Sequence, residues 1–212
     1  MMQAPLWGFL NPKTLDELEK EAERCERCPL HRTRTKLVFG DGTHGKIVFV
    51  GEAPGYWEDK QGRPFVGAAG KLLNSLLERA GLKREEVYIC NTLKCRPPGN
   101  RDPLPEEVEA CKPFLIGQLS LLKPKLVVAL GRISAGELLG RNVSMTAEHG
   151  KLLDCTFAGL RFKLFLTFHP AAGLYSGSVK DLLISDFEKL GRVVKELGLR
   201  SSTRGSLVPD RW

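Results

Sequence analysis

Short apolar runs bounded by glycine or polar residues recur along the chain at Ile47–Val50, Glu86–Cys90, Lys125–Gly131 and Phe162–Phe168. Runs this short, unbroken by alternating polar positions, read as strands buried on both faces. Stretches of helical spacing separate them. Leu15, Leu18 and Ala22 share one face of a charged segment over residues 14–23. Leu72, Leu73, Leu76, Leu77 and Ala80 do the same over Gly70–Ala80, with Gly81 placed to cap the carboxyl end. Further helices are predicted over Glu106–Leu122, Ser134–Leu139 and Val179–Leu197, and a hairpin over Leu152–Leu166 leads into the last strand. Strands alternating with helices give a parallel sheet covered on both faces, an α/β/α sandwich.

Three polar residues directly follow or close an apolar run: Glu52, Asn91 and His169. The carboxyl ends of parallel strands face the crevice where open α/β sheets bind ligands, so all three are expected at one mouth. The stretch after the first strand, GEAPGYWEDKQGRPFVG, brings a tight turn, carboxylates and aromatic rings to the same rim.

The 212 residues suffice for one well-buried domain, expected over residues 1–200, with 1–11 a loose arm and 201–212 a disordered tail. No apolar run approaches a membrane span, and the first residues lack the pattern of a signal peptide, so a cytoplasmic location is the expectation. A net charge of +7 and a pI near 9.2 favour polyanionic partners, nucleic acid first.

That location changes the reading of the six cysteines, which in a secreted chain would suggest disulfides. Cys25 and Cys28 form a CxxC pair next to Pro29, while Cys95 and Cys111 lie far downstream with fifteen residues between them. Four thiolates from two distant places can hold zinc or an iron–sulfur cluster, and the spacing does not choose. Cys95 lies in a Pro- and Gly-rich loop that reads as non-core, which favours metal over packing; Cys90 and Cys155, inside strands, read as core.

GEAPG after a buried strand, GRPFVG behind it, CNTLKCRPP and a late HPAA together resemble the family 4 uracil-DNA glycosylases, the iron–sulfur branch of their superfamily. The resemblance covers about residues 20–197. It implies a central four-stranded parallel sheet, a [4Fe–4S] cluster on Cys25, Cys28, Cys95 and Cys111, and hydrolysis of the N-glycosidic bond of uracil flipped out of DNA, the first step of base-excision repair. Phe65 would stack on the flipped base, Asn91 would read its edge, and His169 would donate to uracil O2 as charge develops there. Ala53 stands where the family 1 branch has a water-positioning aspartate, so Glu52 is the catalytic candidate beside His169. The Ala53 backbone N–H and Glu58 are further substrate contacts, with Asp59 either a rival carboxylate or solvated surface. Leu174 is the candidate wedge into the gap left by the base. Arg96, with Arg32, Arg34 and Arg101, is a candidate phosphate contact.

With no lysine standing out at a strand end, a lyase step is not expected, and the chain is expected to act as a monomer. Protein partners such as a sliding clamp are left open by the residues. Three other readings compete: a glycosylase of the same fold accepting other deaminated bases, a non-catalytic metal-containing nucleic-acid-binding module, and an iron–sulfur redox protein.

Overall fold

The structure is a computed structural model that describes residues 12–42 and 45–199. The arm over 1–11 and the tail over 201–212 lie outside the described residues. The strands are β1 (Ile47–Gly51), β2 (Tyr88–Asn91), β3 (Leu126–Leu130), β4 (Leu152–Phe157) and β5 (Leu160–Thr167), in spatial order β2-β1-β3-β5-β4. The helices are α1 (Leu15–Glu23), α2 (Tyr56–Gln61), α3 (Ala68–Arg79), α4 (Pro105–Leu122), α5 (Arg132–Leu139), α6 (Met145–Glu148), α7 (Ala172–Tyr175) and α8 (Gly177–Glu196). Among the described residues no helix is long and apolar enough to cross a membrane.

The sheet has five strands, not the four expected. Four of them, β2, β1, β3 and β5, run parallel, and β4 joins the outer edge of β5 antiparallel. The turn decides this. Ala158 and Gly159 both have positive φ (50° and 83°), the two-residue hairpin geometry whose twist matches that of flanking strands. Phe157 therefore pairs directly with Leu160, and β4 stays in the same sheet as β5.

Alternate residues of β1 supply two cores. Ile47 and Phe49 pack with Leu73, Leu76 and Leu77 of α3 and with Leu183, Phe187 and Leu190 of α8. Val48 and Val50 pack on the opposite face with Leu115 and Leu119 of α4 and Ala135 and Leu138 of α5. The strand is buried at all five positions, which is why its sequence carries no polar alternation. A third cluster lies off the sheet, where Leu18 and Ala22 of α1 meet Leu30, Phe39, Leu93, Phe114 and the cysteines 95 and 111. Since β1 connects to β2 on one side and lies beside β3 on the other, the strand order reverses at β1. The carboxyl end of β1 is thus the switch point where this architecture opens a crevice.

Candidate active site and cysteine compartment

A cavity of about 330 Å³ opens at that switch point. Glu52, Ala53, Glu58, Phe65, Asn91 and His169 all line it, together with Asn100 and Arg101 from the loop after β2. Its size falls at the lower end of the range for small-ligand pockets.

Asn91 pairs in register with Gly51 across β2 and β1, and its side chain is 2% exposed. Its Oδ1 is buried with no hydrogen-bond partner. Such an atom carries a desolvation cost that a ligand donor would remove. Gly51 makes the arrangement possible, since a Cβ there would stand 2.3 Å from Asn91 Oδ1 and 2.8 Å from Phe65 Cζ.

Phe65 is 6% exposed and has φ of 53°, a left-handed backbone that bulky residues avoid. Neighbours impose it. Arg84 donates to the carbonyls of Pro64 (2.6 Å) and Phe65 (3.1 Å), and Glu58 Oε1 accepts the N–H groups of Val66 and Gly67, both at 2.9 Å. Gly70 lets the loop settle on α3, for a Cβ there would meet the Phe65 carbonyl at 1.8 Å. Strain held this firmly by surrounding contacts is characteristic of functional loops.

His169 follows β5, its ring 5.5 Å from that of Phe65. Burial pushes its pKa down to about 4, with the Glu58 carboxylate only partly opposing. The imidazole is therefore neutral at pH 7. Its Nδ1 accepts the Ala171 N–H at 3.2 Å, which places the proton on Nε2 and leaves that atom free to donate. Glu52 is raised above the usual carboxylate range, first by burial and then by Asp102, with Arg132 opposing.

The other candidate residues are spread over the surrounding elements. Tyr56–Gln61 forms a helix, of which the apolar spacing gives no sign. Asp59 is neither surface nor a rival catalytic group: it is 2% exposed and accepts the Thr35 N–H at 2.8 Å, tying α2 to the loop behind the CxxC turn. Arg34 is committed to the cysteines, donating to Cys95 Sγ at 3.2 Å and to the Glu23 carbonyl. Arg32 is exposed, Arg101 pairs with Glu107 at the cavity edge, and Arg96 lies over the Tyr56 ring. Leu174 stands outside the cavity at 44% exposure, beside the more exposed Tyr175.

The part of the loop that carries Cys95 is buried, while residues 98–102 beyond it are exposed. Cys95 is 7% exposed and packs with Leu93 and Phe114, and Cys90 and Cys155 are buried in the sheet. Cys25, Cys28, Cys95 and Cys111 line one mostly apolar compartment. Among the described residues no three His, Cys, Asp or Glu side chains are grouped tightly enough for a single metal ion. Four thiols around one apolar space are a donor set that fits a thiolate-bound centre. The Arg34 guanidinium on Cys95 Sγ and the Lys94 N–H on Cys111 Sγ (3.3 Å) are the kind of N–H···S contacts that support one.

Lys94 was not foreseen as a structural residue. It is 1% exposed, and its Nζ donates to the Asn91 carbonyl and to Gln118 Oε1, both at 2.6 Å. The only signal is one lysine between two motif residues, which does not reveal burial. Among the described residues no lysine lines the cavity.

A family model described as the uracil DNA glycosylase superfamily matches residues 38–190. The chain belongs to that superfamily. Its relatives point to the type-4 branch. It is 45% identical to a type-4 uracil-DNA glycosylase of Archaeoglobus fulgidus, over 85% of this chain and 94% of the relative. The type-4 uracil-DNA glycosylase of Thermotoga maritima is 42% identical over 90% of this chain and its own full length. That of Pyrobaculum aerophilum is 46% identical over 82% and 90%. The matched segment of this superfamily member takes in every strand and every cavity residue named above.

Proposed function

We propose that the protein is a monofunctional uracil-DNA glycosylase that hydrolyses the N-glycosidic bond of flipped deoxyuridine inside the cell, at the start of base-excision repair. The observation that carries the reading is the unpartnered Asn91 Oδ1 inside a cavity walled by Phe65 and His169. Uracil presents an N3–H donor beside an O4 acceptor. The Asn91 amide answers both, with Oδ1 accepting and Nδ2 donating, whereas cytosine offers the reverse pattern. Each buried group left unpaired costs about 1–3 kcal/mol, which separates the two bases.

Phe65 stacks on the base, the Ala53 N–H and Glu58 complete its surroundings, and Nε2–H of neutral His169 donates to O2. As the C1′–N1 bond breaks, its electron pair passes to uracil, and the His169 contact strengthens with the charge on O2. Water adds its oxygen to C1′, and Glu52 orients it and takes its proton. With a methyl group at position 53 in place of an aspartate, the departing base leads and the water follows. Leu174 fills the gap in the duplex, and Arg96 and Arg101 meet phosphates. The protein works as a monomer.

Cys25, Cys28, Cys95 and Cys111 would hold a [4Fe–4S] cluster, which when bound cross-links the end of α1, the loop after β2 and the start of α4. The test is incubation with oligonucleotides carrying a single uracil, thymine or hypoxanthine, followed by alkaline cleavage. Cutting confined to uracil, and lost in Asn91→Ala, is the expected result. Cutting at hypoxanthine would widen the substrate class, and no cutting by cluster-loaded protein would leave a binding module.

A further inference from the structure

Next to the cavity is an exposed aromatic pair that the proposed reaction does not use. Tyr56 and Trp57, the first residues of α2, are 46% and 58% exposed, with ring centroids 5.1 Å apart and edge-on at 83°. Their neighbours in the chain, Gly55 and Glu58, line the cavity. A Cβ on Gly67 would lie 3.6 Å from the Trp57 ring and 3.4 Å from Glu58 Oε1, so the indole rests on the outer side of the same wall. Arg96 lies over the Tyr56 ring at 5.1 Å and Lys60 at 5.7 Å. Arg96 Nε also donates to Asn100, itself a cavity residue, at 2.6 Å. Trp57, Tyr56, Arg96 and Asn100 thus make one continuous rim.

We propose that this rim is a shelf for an unpaired nucleobase adjacent to the flipped nucleotide, with Trp57 as the stacking face and Arg96 and Lys60 as phosphate donors. The proposal rests on the uracil-DNA reading above. An exposed apolar patch rimmed by polar residues marks an interaction site. The charge pattern says what covers these. Among the described residues neither Arg96 nor Lys60 makes an ion pair. The acidic side chains of α2 are spoken for, since Glu58 accepts from Val66 and Gly67 and Asp59 from Thr35. Exposed rings flanked by unpaired cations match single-stranded nucleic acid, where bases stack and phosphates lie alongside. A paired base cannot reach such a shelf without leaving its stack, so the surface favours single-stranded substrate.

Trp7 and Trp212 lie outside the described residues, so a W7F/W212F variant leaves Trp57 as the reporter. Titration with a uracil-free single-stranded thymidine oligonucleotide should quench its emission saturably and reverse with salt. Binding seen by anisotropy with unchanged Trp57 emission would overturn the proposal. In steady-state assays, Trp57→Ala and Tyr56→Ala/Trp57→Ala should raise KM for a single-stranded uracil oligonucleotide about tenfold or more, with kcat held and circular dichroism unchanged. A KM within twofold of the parent would equally overturn it, leaving a protein partner as the occupant of the rim. Failure of the unsubstituted protein to release uracil from either single or double strands would instead remove the glycosylase reading itself.

Discussion

Position 51 shows how tightly single residues set the cavity. A methyl group there collides with both the Asn91 amide and the Phe65 ring, and a packed floor has no slack to absorb it. Gly51→Ala is expected to cost about 1–3 kcal/mol in a denaturant melt and to remove most activity. Asn91→Ala spares the packing but strands the base edge, so kcat/KM should fall at least about a hundredfold in a uracil-release assay. His169 gives a pH prediction. Its folded pKa of about 4 lies below the ordinary value of 6.5. Between those values the unfolded chain binds the extra proton, so stability falls as pH drops from 6.5 towards 4, by up to about 1.4 kcal/mol per pH unit. Melts of the parent and His169→Asn over that window should diverge accordingly, and nitrogen NMR should find Nε2 protonated and Nδ1 bare until the pH nears 4. The polar residues at the ends of β1, β2 and β5 were legible because each interrupts an apolar run. The tautomer of His169 was not, because it depends on a backbone N–H two residues away whose direction only the folded turn sets.

At the scale of elements, the strands and long helices followed from apolar spacing because burial on both faces of the sheet leaves few polar substitutions. The failures have local physical causes. α2 has six residues and a proline–glycine turn before it, too little sequence for a period to show. β4 alternates partly exposed and buried positions, as an edge strand does, and its membership in the sheet is fixed by the backbone of Ala158 and Gly159. The Cys95 end of its loop reads as surface because proline and glycine usually lie there, whereas the cysteine compartment draws that end inward and leaves residues 98–102 exposed. Glu58 works at this scale too, as the clip between α2 and the Phe65 loop. Glu58→Gln keeps one acceptor for the two N–H groups but loses the charge. It is expected to retain the fold while raising KM for uracil DNA several-fold, a shift that circular dichroism and steady-state kinetics together would register.

For the whole molecule, the net charge of +7 sets an expectation that non-specific DNA binding weakens steeply with salt, measurable as a linear fall of log K with log salt concentration. The cysteine compartment and the cavity lie on either side of one short segment, and Lys94 joins them: its N–H meets Cys111, its amine the Asn91 carbonyl. Lys94→Met would leave the Asn91 carbonyl and Gln118 Oε1 unpaired, at about 1–3 kcal/mol each, and should lower both iron content and uracil excision. In the language of instrument making, the positional error of a probe is the sum of the errors at every joint between it and its mount. Through Lys94, the strand end that carries the base-reading amide has one short link to the cysteine compartment. A probe fixed so directly holds its calibration until the mount gives way and then loses it in one step, so partial damage to the cysteine compartment should yield a mixture of accurate and silent molecules rather than a population of careless ones.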